Sequence, residues 1–228
     1  MDVSSHTQRL VITIDGPAGA GKSTTARALA ARLGYSYLDT GALYRAIAWK
    51  ARVTGTDCTN PVALNECLKQ MDLRVTLENK ITRTIVDSQD VTQYLRTPEV
   101  ARVASTVAAI PEVRHWLLPI QQQFGQSGGI VAEGRDMGTR VFPNADVKFF
   151  LNADLATRTD RRYRENHQAG HAGDQKEIRN QIQDRDTRDR SRNVSPLVPA
   201  TDSVVVDSSS MTVEEVVTTM LESISARL

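Results

Sequence analysis

A three-layer α/β fold, with one parallel sheet between two layers of helices, is predicted by three observations. Short β-branched runs alternate with longer helix-forming stretches, the pattern of parallel strands joined by right-handed crossovers. Five of those runs qualify as strands of one sheet, at residues 10–14, 37–38, 130–132, 147–151 and 204–206. The first leads through a glycine-rich turn directly into an Ala, Leu and Arg-rich stretch, the strand-turn-helix order that opens many such sheets.

Each element has its own signal. Leu10-Val11-Ile12-Thr13-Ile14, bounded by Asp15 and Gly16, reads as a buried strand. Residues 23–33 are strong helix formers, and Gly34 follows where a left-handed cap belongs. Tyr37-Leu38 is a brief second strand, and residues 42–53 form a helix stopped by Gly55. Asn60-Pro61 pairs an N-cap with proline at the first helical position and opens a helix to about residue 70. Alternation over 73–77, the turn formers Asn79-Lys80 and the β-rich stretch 81–86 predict a hairpin. Two helices follow, with Pro98 and Pro111 near their starts; Pro119 lies inside the second and is expected to kink or end it. An arginine-rich helical pair fills 154–191, and Thr212-Val213-Glu214-Glu215 is a capping box for a last helix. The stretch from Leu38 to Ile130 is too long for one crossover, so it must hold an insertion, the hairpin and its flanking helices.

A chain of 228 residues and 25.1 kDa with 40% apolar residues suits one domain, residues 1–228, with a small insertion. The net charge of +1 excludes a dedicated nucleic-acid-coating surface. No apolar run approaches a membrane span of roughly 18 residues, and the first ten residues lack an apolar signal core. A cytoplasmic monomer without nucleic-acid or membrane partners is expected, with Cys58 and Cys67 as free thiols. The charge is uneven: residues 158–192 hold 10 of the 28 basic residues against 7 acidic ones, and arginine outnumbers lysine 22 to 6. That bias is either a solvated helical face or a set of planar forks for phosphate oxygens.

Gly16-Pro17-Ala18-Gly19-Ala20-Gly21-Lys22-Ser23 matches GxxxxGK[ST] in full, between a predicted strand and a predicted helix. Backbone N–H groups of such a loop turn inward on phosphates, and the helix N-terminus adds positive potential. A nucleoside triphosphate is therefore expected at Gly16, Pro17, Ala18, Gly19, Ala20, Gly21, Lys22, Ser23 and Thr24. Lys22 can bridge the β- and γ-phosphates, and the Ser23 hydroxyl can ligate Mg²⁺. The phosphate loop alone does not separate GTPases, motors, sulfotransferases and small-molecule kinases. Asp39-Thr40-Gly41-Ala42-Leu43-Tyr44-Arg45 follows the second strand, where an open sheet presents its crevice. It could hold a second anionic substrate, or Thr40 could be an N-cap and Tyr44 a core residue. Glu133-Gly134-Arg135-Asp136-Met137-Gly138-Thr139 follows the third strand, and Glu133 resembles the carboxylate that supports Mg²⁺ directly or through water; a structural turn is the alternative. Arg185, Arg188, Asp189 and Arg192 fall on one helical stripe, either an anion site or a salt-bridged surface. His167 and His171 are spaced i, i+4 but make no metal site by themselves, and Trp49 and Trp116 lie in helical patterns as core or interface residues.

Together these segments resemble the bacterial cytidylate kinase family of nucleoside monophosphate kinases, from Val11-Ile12-Thr13-Ile14-Asp15-Gly16-Pro17 to Val206-Asp207-Ser208. Ser195-Pro196-Leu197-Val198-Pro199-Ala200 is a further marker. The resemblance implies a P-loop NTPase fold with an insertion over about 56–110 and a helical lid over about 155–191. It implies transfer of the ATP γ-phosphoryl group, with Mg²⁺, to CMP or dCMP. By family pattern the acceptor phosphate and ribose meet Thr40, Tyr44, Arg45, Arg135, Arg185 and Asp189, and the cytosine meets Ser105, Arg114, Asp136 and Arg192. The lid would bring Arg158, Arg161 and Arg162 over the ATP phosphates, so that catalysis falls to Lys22, Arg135, Arg158, Arg161, Arg162 and Arg185. A UMP-directed or other small-molecule kinase, or a nucleotide switch, remains as the alternative reading.

Overall fold

In the computed structural model, which describes residues 9–78, 81–168, 170 and 173–227, the chain folds around a five-stranded parallel sheet. Its strands are β1 (Val11–Asp15), β2 (Ser36–Asp39), β6 (Ile130–Gly134), β7 (Val147–Asn152) and β8 (Val204–Asp207), in the spatial order β2-β6-β1-β7-β8. β1 is central because its side chains are buried on both faces, as an apolar run without alternation requires. The chain leaves β1 toward β2 on one side and later reaches β7 on the other. The carboxyl end of β1 is therefore the topological switch point, where open α/β sheets bind ligands.

α1 (Lys22–Leu33) and α8 (Val213–Ser225) cover one face, burying Ile12, Leu29, Phe149 and Met220. Gly34 caps α1, and the capping box at Thr212 and Glu215 starts α8, both as read from sequence. A smaller core on the other face joins Leu38, Ala132, Met137 and Val141. The insertion has its own core. α2 (Thr40–Val53) and α3 (Pro61–Lys69) precede an antiparallel sheet of β3 (Leu73–Glu78), β4 (Ile81–Val86) and the short β5 (Gln89–Asp90), and α4 (Pro98–Val107) and α5 (Pro111–Gln123) follow. Leu43, Ile47, Leu64, Val86, Val107 and Leu117 meet there. The turn pair Asn79-Lys80 lies outside the described residues, but the strands on either side pair antiparallel as the expected hairpin, Leu73 opposite Val86. Thr82 donates to the Tyr37 carbonyl at 3.2 Å and pins this sheet to β2.

Several expectations change. α5 runs through Pro119 to Gln123, because a proline removes one donor without forbidding the turns beyond it. Neither the short β5 nor the π-type turn Met137–Val141 after β6 has a sequence signal of its own. Thr40 is not the N-cap of α2: Asp39 is, its Oδ1 accepting the Ala42 N–H at 3.0 Å. The arginine-rich pair is α6 (Leu155–Gln168) and α7 (Gln175–Ser191), packed against each other. Trp49 and Trp116 pack against the insertion core, Trp49 stacking on Tyr94 with ring centroids 6.4 Å apart. Cys58 and Cys67 are free thiols, and His171 lies outside the described residues. Among the described residues no helix is long and apolar enough to cross a membrane.

Candidate active site

Two loops at the carboxyl end of the sheet build the site. After β1 the chain must turn sharply under β7: a Cβ on Gly16 (φ +148°) would lie 2.0 Å from the Leu151 carbonyl oxygen. Glycine is the residue that fits. At Gly19 (φ +77°) a Cβ would meet the Arg158 Cβ and carbonyl at 3.1 Å, so the loop is pressed against α6. Gly21 precedes α1 with no side chain capping the helix, which leaves its first N–H groups to whatever anion occupies the loop. Ser23 and Thr24 are exposed there. Lys22 is buried, 5% exposed, with Nζ donating to the Pro17 carbonyl at 2.7 Å. Burial and the neighbouring Arg135 and Arg185 charges bring its ammonium down to about 7, against the pull of Glu133. A lysine this costly to keep charged is poised for an incoming polyanion.

The second loop leaves β6. Glu133 at its end accepts the Tyr37 hydroxyl at 2.7 Å, and its carbonyl accepts the Thr40 hydroxyl at 2.7 Å. Burial, then the Glu133 and Asp39 charges, pushes the Tyr37 phenol far above its ordinary range, so it stays a donor to Glu133. Asp15, the last residue of β1, accepts the Met137 and Gly138 N–H groups, both at 2.8 Å. One carboxylate thereby ties the phosphate loop's strand to the loop carrying Arg135 and Asp136. Burial lifts Asp15 to about 6 despite those two donors.

Arginines crowd the crevice between these loops and α7. Asp189 accepts from Arg135 Nε at 2.8 Å, with Arg192 Nη1 at 3.6 Å and Arg185 Nε at 4.0 Å. Asp136 pairs with Arg114 at 3.0 Å, both side chains nearly solvent-free. Arg114 also donates to the Tyr44 hydroxyl at 2.9 Å, and Arg45 pairs with Asp39 at 2.7 Å. Positive charge is in excess: burial and the nearby Arg135, Arg45 and Arg162 charges hold Arg185 below the usual arginine range. Burial and then Arg114 do the same to Arg192. Among the described residues, four buried guanidinium nitrogens of this group have no hydrogen-bond partner: Arg45 Nε, Arg114 Nε, Arg185 Nε and Arg192 Nη2; Ser105 Oγ on α4 is likewise buried without one. Unpaired buried donors are costly, so their concentration in one crevice marks a place built for acceptor oxygens.

The chain matches the cytidylate kinase family model over residues 12–226. It belongs to the cytidylate kinase family. It is 44% identical over 208 residues to a Haemophilus influenzae protein named cytidylate kinase 1, covering 91% of this chain and 90% of that one. It is 44% identical over 215 residues to the cytidylate kinase of Desulfitobacterium hafniense, covering 94% and 92%. Among solved structures, an uncharacterized protein from Eubacterium ventriosum aligns with a TM-score of 0.53 at 12% identity, over 95% of this chain and 98% of that one, which speaks to the fold alone. As a member of that family, the protein is a nucleoside monophosphate kinase.

Within this kinase the sequence-predicted residues divide into groups. Tyr44, Arg114 and Asp136 form one contact group, Arg135, Arg185 and Arg192 meet at Asp189, and Arg45 pairs with Asp39; the Arg114 charge bears on Arg192 and the Arg45 charge on Arg185. Arg188 does not join it. It is exposed and donates to the Asp184 carbonyl at 3.3 Å, whereas Asp186 is buried. Arg192 ends α7 in extended conformation, so the predicted helical stripe breaks there. The three lid arginines, at i, i+3 and i+4 on α6, differ in burial and in partners. Arg158 is buried, donating to the Ala153 and Ala18 carbonyls at 2.9 and 3.1 Å and to Asp186 at 2.5 Å. Arg161 reaches the Ser208 carbonyl at 2.6 Å and the Ala20 carbonyl at 3.4 Å. Arg162 is exposed and pairs with Glu165 at 3.1 Å. Sequence reasoning missed Asp15, Tyr37 and Asp186, whose roles depend on residues 28 to 123 positions away.

Proposed function

We propose that the enzyme transfers the ATP γ-phosphoryl group directly to CMP and dCMP, giving CDP and dCDP and ADP. The reading is carried by the unpartnered guanidinium nitrogens of Arg45, Arg114, Arg185 and Arg192 together with a complete phosphate loop, whose Lys22 feels the Arg135 and Arg185 charges. A nucleotide switch would need the loop but no second anion crevice. In this reading the loop from Gly16 to Thr24 holds the ATP phosphates, and Lys22 leaves the Pro17 carbonyl to meet them. Arg45, Arg135 and Arg185 hold the acceptor phosphate, with Thr40 and Tyr44 as hydroxyl partners and Asp189 orienting the arginines. An acceptor phosphate oxygen forms the new bond to the γ-phosphorus as the bond to the ADP oxygen breaks. No protein nucleophile is required, so positioning and charge neutralisation supply the catalysis. The base is read by Ser105, Arg114, Asp136 and Arg192, where a carboxylate suits the donor amine of cytosine and repels the carbonyl of uracil.

For Mg²⁺, Ser23 at the exposed start of α1 and Glu133 at the end of β6 offer one hydroxyl and one carboxylate. No cluster of three or more His, Cys, Asp or Glu among the described residues is arranged as a metal cage. That donor set fits a cation that arrives with ATP and keeps phosphate and water ligands. When bound it would neutralise charge on the β- and γ-phosphate oxygens. Arg158 and Arg161 brace the phosphate loop through its carbonyls, while the exposed Arg162, whose charge already bears on Arg185, can swing inward as helices 155–191 close. The insertion, about residues 56–110, would close over the acceptor. The test is ADP formation with CMP, dCMP, UMP, AMP and GMP at fixed ATP. CMP and dCMP should be the preferred acceptors. A UMP rate equal to that with CMP would contradict the base assignment, and ADP formed without any phosphorylated acceptor would favour the switch.

A further inference from the structure

The segment Ser195-Pro196-Leu197 wraps the end of α7, where Arg192 leaves the helix in extended conformation. The Leu197 N–H donates to the Asp189 carbonyl at 2.7 Å, one of the last-turn acceptors that a helix leaves open. The Leu197 side chain is 3% exposed, so burial anchors the turn as well. The Ser195 carbonyl then accepts Arg192 Nε at 2.5 Å. Ser195 holds φ +52°, in the left-handed region. Among the described residues, the other non-glycine positive φ values belong to Asp87 and Ser88, the two-residue turn between β4 and β5, where a hairpin calls for them. Ser195 has no such reason, and a following proline favours extended backbone at the residue before it. A residue in a sparsely populated conformation persists where its surroundings over-determine it, and such residues gather at functional sites. Here the Leu197 anchor and the charged donor of Arg192 hold it.

The Arg192 side chain is 5% exposed, with Nη1 3.6 Å from Asp189. Nε is taken by Ser195, whereas Nη2 is buried without a partner. The planar guanidinium is therefore held along one edge and open along another. We infer that the Ser195-Pro196-Leu197 turn is a positioning element for Arg192: its backbone carbonyl fixes Nε so that Nη2 is kept ready for the base of the acceptor nucleotide. A carbonyl does this without placing a second full negative charge beside that of Asp189. A cleft of about 350 Å³ lies against Arg192, walled on the other side by Ala109 and Pro111 at the α4–α5 turn. An Arg192 released by Ser195 has room to swing into that cleft. Its orientation then has to be set at binding, which weakens acceptor affinity.

This rests on Arg192 belonging to the base site, and a double-mutant cycle separates the two ideas. Ser195→Val, Arg192→Met and the double variant are compared by steady-state kinetics with CMP and ATP, with thermal melting as a control. A β-branched residue is an outlier at positive φ, so Ser195→Val should turn the backbone extended and draw the carbonyl off Nε. The KM for CMP should rise by about 3- to 10-fold, the scale of one hydrogen bond, with the KM for ATP unchanged. Ser195→Asn tolerates left-handed backbone and should keep the KM for CMP within about twofold of wild type. In the Arg192→Met background Ser195→Val should have no further effect on CMP. Independent, multiplying effects would overturn the inference, as would a parallel rise in the KM for ATP or no change in either. If Arg192→Met itself leaves the KM for CMP unchanged, the base-site reading falls, and the inference with it. Should Ser195→Val not fold, Ser195→Thr keeps the hydroxyl and shares the β-branch. It should raise the KM for CMP in the same way, and a wild-type KM for CMP in that variant would overturn the inference.

Discussion

Asp136→Asn isolates how the base is read. The Asp136 side chain is 6% exposed and pairs with Arg114 at 3.0 Å through Oδ1. Its backbone is set by the Asp15 carboxylate, which holds the next two N–H groups. The substitution changes little in volume. It leaves an oxygen for Arg114 and turns the other corner of the side chain from an acceptor into a donor. For cytosine, a donor amine then faces a donor, which costs about 1–3 kcal/mol, a factor on the order of 10–100. For uracil the same corner becomes a partner for its carbonyl. The CMP-to-UMP ratio in kcat/KM should therefore fall by about tenfold or more, with the KM for ATP little changed. Stability should fall as well, because Arg114 loses a charged partner in a buried pair. With the hydrogen bond kept, about 1–3 kcal/mol is expected, below the ~3–5 kcal/mol of an outright broken pair. At roughly 2–4 °C per kcal/mol for a chain of this size, the melting midpoint should drop by a few degrees. Acceptor-dependent ADP formation and a thermal melt measure both effects. A variant with a lowered midpoint and an unaltered CMP-to-UMP ratio would show that Asp136 only balances Arg114 and does not read the base.

Lys22→Ala should cut kcat by several orders of magnitude while the far-ultraviolet circular dichroism stays native, since Nζ holds only one carbonyl of its own loop; near-wild-type turnover would sink that role. Because burial brings the Lys22 pKa down to about 7, the free enzyme at about pH 8 holds this amine largely neutral, and ATP should restore its proton. Calorimetry at that pH in buffers of different ionisation enthalpy should show proton uptake approaching one per ATP, absent in Lys22→Met; equal heats in all buffers would contradict it. The same depression means that the folded chain binds fewer protons than the unfolded one between about pH 7 and 10.5, so this residue's contribution to stability falls as pH drops through that window. Finally, α6 and α7 carry many like charges, and their hydrogen exchange should slow when ATP and CMP analogues bind together. Equal protection with and without ligands would argue against closure.

How much could be read without the fold follows from where each interaction lies along the chain. The strands, their glycine and proline boundaries, the caps at Asn60 and Thr212 and the phosphate loop are set by residues within a few positions of one another. Short-range sterics and hydrogen bonding decide such features, so sequence alone determined them, and with them the fold class and the loop proposed to hold the triphosphate. The family-specific segments were legible for the same reason, as contiguous motifs after β2 and β6. What sequence could not supply is which side chains share a partner across the sheet. Asp15 looked like the end of a strand, and only parallel pairing of β1 with β6 brings it under Met137 and Gly138. Arg158 looked like a lid arginine, and only the packing of α6 on the phosphate loop turns its guanidinium to the Ala18 carbonyl and Asp186. In each case the deciding term is the cost of leaving a buried polar group unpaired, and burial is a property of the assembled fold.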